Sequence, residues 1–353
     1  MLNWGMIGAG GIARVFCNAM RFSKTGRVVA IASRTRERLD RLAGDFAVPR
    51  RYTTYEALLA DGDVDAVYIA TIHPLHAGCA IQAAQAGKHI LVEKPIAMNY
   101  GQAAAMIDAA RANDVFLMEA FMYRCHPQTR RLVELVQEGA IGQVRMVRAV
   151  FSYYAAYDPV SRAYARASGG GGILDVGCYP ASMVRLIAGA AAGQPFLDPV
   201  QVKGCGKLGP TGVDHYAAAT LQFENDVVAQ IVTGVACQIP DEVSVYGDRG
   251  MLTLPNPWLP SSPCRSAPRP LPPDTAFPST TIVLRSHRAQ SPEEIAIDVD
   301  RDLFTYEADT VAENIAHRQA PAMSWDDSLG NMRLLDRWRQ EIGLAYEQDQ
   351  RSR

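Results

Sequence analysis

Leu2-Asn3-Trp4-Gly5-Met6-Ile7-Gly8-Ala9-Gly10-Gly11-Ile12-Ala13 is the stretch on which the reading of this chain turns. A short apolar run passes directly into glycines, and the glycines open a helical pattern. In a G-x-G-x-x-A turn, Gly8 permits the tight bend and Gly10 lets backbone approach a pyrophosphate. Small Ala13 lets the helix pack on the strand. The helix start at Gly11 and Ile12 offers free N–H groups and the positive end of a dipole to phosphates. The pattern by itself is weak. Its strand–turn–helix setting makes Gly8, Gly10, Gly11 and Ile12 candidate dinucleotide contacts.

The same grammar continues outward. Apolar runs at Val28–Ala32, Val64–Ala70, His89–Val92 and Val115–Met118 alternate with helical stretches at about 11–23, 36–46, 75–86 and 100–112. Unbroken apolar strands separated by helices predict a doubly wound parallel sheet covered on both faces. Beyond about residue 120 the pattern changes. A helix at 126–138 precedes a strand at 143–154, a polar loop Asp158–Ser168, the run Gly169–Gly172 and a helix at 179–188. Strands at 200–207, 215–224, 227–237, 242–246 and 251–254 follow, with a hairpin signal at Asn225-Asp226. This predicts an α+β domain with a largely antiparallel sheet. Residues 255–278 hold nine prolines and read as an irregular surface excursion, because proline cannot sit in central strands. Helices at 304–318 and 325–341 close the chain. The second is capped by Ser324 with Asp327 and carries an apolar core stripe of Leu329, Met332, Leu335, Trp338 and Ile342. Two domains are expected, 1–120 and 121–353, the last helices being placed to pack back on the first.

Composition narrows the function classes. Of 353 residues, 48% are hydrophobic and 20% charged, which excludes a mainly disordered chain. The net charge of -2 provides no field for nucleic acid or an anionic membrane. Seven cysteines without a C-x-x-C pair indicate neither a zinc ribbon nor a disulfide scaffold, and no metal site is expected. The N-terminus has no signal-peptide pattern, and no apolar run approaches the ~18 residues of a membrane helix. A cytoplasmic location is therefore expected.

Three further segments carry chemistry. The second strand ends in Ser33-Arg34-Thr35-Arg36, with Arg38 beyond, and no carboxylate stands there to bond a ribose 2′-hydroxyl. A serine hydroxyl and guanidinium groups suit a 2′-phosphate, so NADP(H) is expected over NAD(H). Glu93-Lys94-Pro95 follows a strand and so falls at the ligand crevice of an open α/β sheet. In Gly169-Gly170-Gly171-Gly172-Ile173-Leu174-Asp175-Val176-Gly177-Cys178-Tyr179, the glycines would let backbone approach a ligand. Asp175 and Tyr179 stand four apart on a helix start. A lysine beside Tyr179 would lower its pKa and make it a proton shuttle, and Lys94 is the candidate.

Together and in this order, G-x-G-x-x-A, Ala70-Thr71-Ile72-His73-Pro74-Leu75-His76, Glu93-Lys94-Pro95 and Asp175-x-Gly177-x-Tyr179 resemble the Gfo/Idh/MocA oxidoreductase family, over nearly the whole chain. Many members carry histidine where Tyr179 stands. The tyrosine, with Glu119-Ala120-Phe121-Met122-Tyr123-Arg124-Cys125-His126-Pro127, is similar to the branch of dimeric dihydrodiol dehydrogenases, D-xylose 1-dehydrogenases and glucose–fructose oxidoreductase. The resemblance implies an N-terminal Rossmann domain, a substrate pocket on the C-terminal sheet domain, and homodimers or homotetramers formed through that sheet. It implies that Lys94 and Tyr179 serve proton transfer during hydride exchange between NAD(P) and a sugar, polyol or cyclic vicinal diol. Asp175, Arg124 and His126 are expected at the substrate, and Thr71, His76 and Glu93 at the cofactor. His73 reads as structural, and Asp158 and Arg162 are assigned no role. Ile72 departs from a frequent proline. Reduction of a ketosugar, aldehyde or diketone is the alternative. A silent dinucleotide-binding sensor is disfavoured by the presence of both Lys94 and Tyr179.

Overall fold

The computed structural model describes residues 1–350. Its first sheet holds β1 (Leu2–Ile7), β2 (Gly26–Ala32), β3 (Arg50–Tyr52), β4 (Ala66–Ile69), β5 (His89–Glu93) and β6 (Leu117–Ala120). All pairings are parallel and the strand order is β3-β2-β1-β4-β5-β6. Helices α1 (Gly11–Ala19), α2 (Arg36–Asp45), α3 (Tyr55–Leu59), α4 (His76–Gln85) and α5 (Tyr100–Ala112) make the crossovers. The order reverses between β1 and β4, and a crevice opens there beyond the carboxyl ends of the strands. Every side chain of β4 is buried, as a central parallel strand requires.

Helices α6 (Met122–Cys125) and α7 (Pro127–Gln137) lead into a second sheet of β7 (Val144–Ser152), β8 (Gln201–Leu208), β9 (Asp214–Gln222), β10 (Val228–Gly234), β11 (Glu242–Gly247), β12 (Gly250–Leu254), β13 (Thr280–Ser286) and β14 (Glu293–Ile297). Its order is β14-β13-β12-β11-β7-β10-β9-β8. All neighbours are antiparallel except β7 and β10. Strands β13 and β14 were not anticipated; they extend the sheet past the proline-rich stretch. Helix α8 (Cys178–Ala191) runs under the sheet, preceded by a π turn at Ile173–Gly177. The helical run Arg166–Ala191 is long and apolar enough to span a membrane by length and composition, contrary to the sequence expectation, but its apolar 18-residue window is wholly buried within the protein.

The proline-rich stretch runs irregularly over the surface, as expected, with Arg265, Arg269 and Asp274 exposed, but it is anchored at buried points. Trp258 and Cys264 are buried, Trp258 Nε1 donates to the Val150 carbonyl (2.8 Å), and a short helix α9 (Pro263–Ser266) packs against α1. The closing helices α10 (Leu303–Asn314) and α11 (Trp325–Glu341) pack on the first half of the chain, α10 against α1 and α11 against α5. Ser324 caps α11 by accepting from the Asp327 N–H (3.2 Å).

Candidate active site

The crevice at the carboxyl ends of the first sheet continues into a cleft of about 810 Å³ that reaches the second sheet. One wall is the β1–α1 turn. Gly8 has φ +109°, and a Cβ there would stand 2.6 Å from the Ala70 carbonyl oxygen, so the turn requires glycine. Around Gly10 and Gly11, by contrast, nothing lies within 4 Å of a would-be Cβ. Open space above bare backbone at a helix N-terminus fits a dinucleotide diphosphate. Ser33, Arg34 and Arg38 line the same cleft at the tip of β2, and the Arg34 guanidinium lies 5.9 Å from the Tyr55 ring centre.

At the other end, Thr71, Glu93, Lys94, Asp175 and Tyr179 meet. The Lys94 ammonium donates to the Asp175 backbone carbonyl (2.5 Å), lies 3.5 Å from its carboxylate and stands 5.2 Å from the centre of the Tyr179 ring. Arg162 clamps both Asp175 oxygens at 2.8 and 3.0 Å, and the Tyr153 hydroxyl donates to the same carboxylate. Burial opposes the charge on Asp175, but Lys94 and Arg162 outweigh it and hold the carboxyl well below its usual range. Glu93 accepts from the Tyr68 hydroxyl, and burial raises its pKa.

Tyr179 behaves differently from the sequence expectation. It is only 4% exposed, and its hydroxyl reaches the Met122 sulfur at 3.5 Å. Phe121, Phe151 and Trp258 surround its ring. Burial, with the nearby Glu93, raises its pKa well above the ordinary phenol value, so Lys94 does not make it a ready phenolate. Its hydroxyl is held in the neutral form.

Four expected placements are corrected. Arg124 is buried away from the cleft, bonded to Asp327 (2.6 Å) and Ser182 (2.9 Å). His126 caps α7, its Nδ1 accepting from the Gln128 N–H (3.1 Å). His76 is buried behind the cleft, against the carbonyls of Pro95 (2.9 Å) and Thr71 (3.2 Å). The glycine run does not line the cleft either. Gly171 has φ +108° and packs so closely on Asp214 that a Cβ would stand 2.2 Å from its Oδ1. These glycines let the π turn seat against β9 and β10, which aims Asp175 and Tyr179 into the cleft. His73, read as structural, instead lines the cleft while its Nδ1 contacts the Gly169 carbonyl (3.1 Å). Arg162 was named but assigned no role, and Tyr153, just past β7, was missed, because neither the loop of Arg162 nor the end of that strand carries a motif. Only the carboxylate they share reveals them.

Family models match residues 2–121 as an oxidoreductase family with an NAD-binding Rossmann fold and residues 129–253 as the GFO/IDH/MocA C-terminal domain. The chain belongs to the Gfo/Idh/MocA oxidoreductase family. Within that family it is 32% identical over 353 residues to a trans-1,2-dihydrobenzene-1,2-diol dehydrogenase of Danio rerio, covering 99% of both chains. The Mus musculus protein of the same name is 30% identical, also with 99% coverage of both. Among solved Gfo/Idh/MocA structures, a 3-ketoreductase from Actinomadura kijaniata in complex with NADP and TDP-benzene superposes with TM-score 0.82 at 27% identity, covering 97% of this chain and 98% of that one. An aldose-aldose oxidoreductase from Caulobacter crescentus shares the fold at TM-score 0.80 and 24% identity, with 97% of each chain covered.

Proposed function

We propose that this oxidoreductase exchanges hydride between NADP(H), preferred over NAD(H), and the hydroxyl or carbonyl carbon of a sugar or cyclic vicinal diol. The observation that carries this reading is the single cleft joining the phosphate-binding turn at Gly8–Ile12 to Lys94, Asp175 and Tyr179. The dihydrodiol dehydrogenase names of full-length relatives support the diol class, and the NADP-bound 3-ketoreductase supports both cofactor and carbonyl chemistry. When bound, the nicotinamide supplies or accepts the hydride. The chain's own residues handle the oxygen. Lys94 orients it through its ammonium, and Asp175, fixed by Arg162 and Tyr153, holds a neighbouring hydroxyl. Tyr179 transfers the proton at its Oη. In reduction the carbonyl carbon gains hydride and its oxygen takes the Tyr179 proton. In oxidation the alcohol O–H proton leaves to a deprotonated Tyr179 as hydride departs. Because burial keeps the phenol neutral, the resting site offers its proton to a carbonyl oxygen.

Spectrophotometric turnover of NADP+ with trans-cyclic diols, aldoses and inositols, alongside NADPH with the matching ketones and aldehydes, tests the proposal. Turnover of a diol or sugar pair with higher kcat/KM for NADP(H) is expected. Hydride transfer to none of these classes would sink the substrate reading, and equal kcat/KM for NAD(H) would sink the cofactor preference.

A further inference from the structure

The proline-rich segment between β12 and β13 leaves the second sheet, crosses the flank of α1 and returns. Its attachments are specific. Asn18 is fully buried on α1, and its side chain serves this segment at both ends: Oδ1 accepts from the Leu271 N–H (2.9 Å) and Nδ2 donates to the Arg269 carbonyl (3.4 Å). Phe277 packs edge-on against Phe22, with ring centres 5.0 Å apart. The Cys264 N–H donates to Asp302 (3.0 Å), fixing α9 against the cap of α10. A buried asparagine within a helix is costly unless both of its polar ends are used. Here they are used only to hold this strap.

The strap delivers Leu259 and Arg265 to the wall of the cleft. Arg265 lies on α9, which packs on α1, the helix whose first residues make the phosphate-binding turn. Among the described residues its guanidinium has no hydrogen-bond or ion-pair partner. The other cleft cations are placed elsewhere. Arg34 and Arg38 stand at the tip of β2, where a dinucleotide fold places the ribose. Lys94 and Arg162 are bound to Asp175. Arg14, on the first turn of α1, is committed to Asp45. The diphosphate position therefore has backbone N–H groups on one side. Apart from Arg34 and Arg38 at the ribose, the one uncommitted cation of the cleft among the described residues is Arg265 on the strap. Its charge also acts across the cleft on Glu93 and Tyr179.

We propose that Arg265 clamps the cofactor diphosphate from the strap side, so that a segment of the substrate domain closes the dinucleotide site of the first domain. This rests on the dinucleotide reading of the Gly8–Ile12 turn. The diphosphate is common to NADPH and NADH, whereas the 2′-phosphate is not, and this separates the role of Arg265 from that of Arg34.

The test is binding to the full-length apoprotein by fluorescence titration and calorimetry with NADPH, NADH and adenosine 2′-monophosphate, which lacks the diphosphate. Arg265→Gln is expected to weaken NADPH and NADH by the same factor, about 10- to 100-fold, as for loss of a charge-assisted phosphate contact. Adenosine 2′-monophosphate should bind as before, and Arg265→Lys should recover part of the loss. Arg265 is exposed, and an unchanged Tm will show that the variant is folded. Unaltered NADPH and NADH affinity in Arg265→Gln would overturn the clamp while leaving the cofactor reading intact. So would an equal loss for adenosine 2′-monophosphate, which would mean that the cleft as a whole had been disturbed. Failure of the wild-type chain to bind either dinucleotide would overturn the clamp together with the reading on which it rests.

Discussion

Tyr179 carries a hydroxyl whose only hydrogen-bond partner in the described structure is the Met122 sulfur, beneath a cleft that also holds Lys94 5.2 Å from its ring centre. A buried donor so weakly satisfied gains most when a substrate oxygen arrives. Tyr179→Phe keeps the ring packing and removes the donor, so kcat should fall by about 10²–10⁴ with NADPH affinity little changed. Lys94→Ala should damage turnover at least as much. The double variant should lose less than the product of the two, because the pair acts on one oxygen. A fully active phenylalanine variant would remove Tyr179 from the mechanism. The raised phenol pKa also sets a pH dependence. Reduction needs the protonated form and should hold through the alkaline range, while oxidation should quicken as pH rises. Parallel rate measurements in the two directions check the opposite slopes.

At the scale of elements, two turns make the site. The β1–α1 turn leaves open space over Gly10 and Gly11, and the tip of β2 sets Ser33, Arg34 and Arg38 beside it without a carboxylate. Arg34→Ala is expected to weaken NADPH about 10- to 150-fold, the loss of about 1.5–3 kcal/mol from one charge-assisted contact, and to leave NADH nearly unchanged. Titration of both cofactors decides it, and a matched loss for NADH would place Arg34 away from the 2′-phosphate. The π turn before α8 is the second device. It could not be read from Gly169–Gly172 alone, since a glycine run fits equally a backbone that approaches a ligand and one that approaches another strand. Asp214 and Gly234, far along the chain, decided for the strands.

Across the whole molecule, buried charge ties the halves together. Arg124 on α6 and Arg185 on α8 converge on Asp327 of α11, all three buried. Without Arg124 the Asp327 carboxylate keeps Arg185, but one of its oxygens and Ser182 lose a buried partner, so Arg124→Ala should cost about 1–3 kcal/mol of stability. Denaturant unfolding will measure this, and the folded fraction should bind NADPH as the wild type does. An activity loss without destabilisation would return Arg124 to the substrate. The fold should also weaken in acid. Burial lowers His73 to about 3 and His76 to about 4 from an ordinary 6.5, so both are neutral in the folded chain and charged when it unfolds. The stability they contribute is complete above 6.5 and is lost as pH falls from there toward 4 and 3. Asp175, with its depressed pKa, adds a loss at still lower pH. Tm should drop across the histidine window, and His76→Gln should flatten the drop; an unchanged slope would mean that His76 does not titrate on unfolding.

Local chemistry and period determined a great deal here. The parallel sheet, the dinucleotide turn, the pairing of Lys94 with Asp175 and Tyr179 in one cleft and the cap at Ser324 were all legible. Each rests on spacing within one element or on a strand's carboxyl end, which the chain direction dictates. What the sequence could not determine depends on which distant groups meet. Arg124 and His126 follow a crevice-facing strand yet turn inward, because Asp327 and the start of α7 satisfy them. His73 and His76 share one turn, and the carbonyls of Gly169 and Pro95 decided which faces the cleft. The proline-rich segment looked like solvated excess until Asn18, 251 residues before Arg269 in sequence, was seen to hold it. Burial and partner choice are properties of the packed chain: the same polar side chain is a ligand contact or a structural anchor according to which tertiary neighbour satisfies it first.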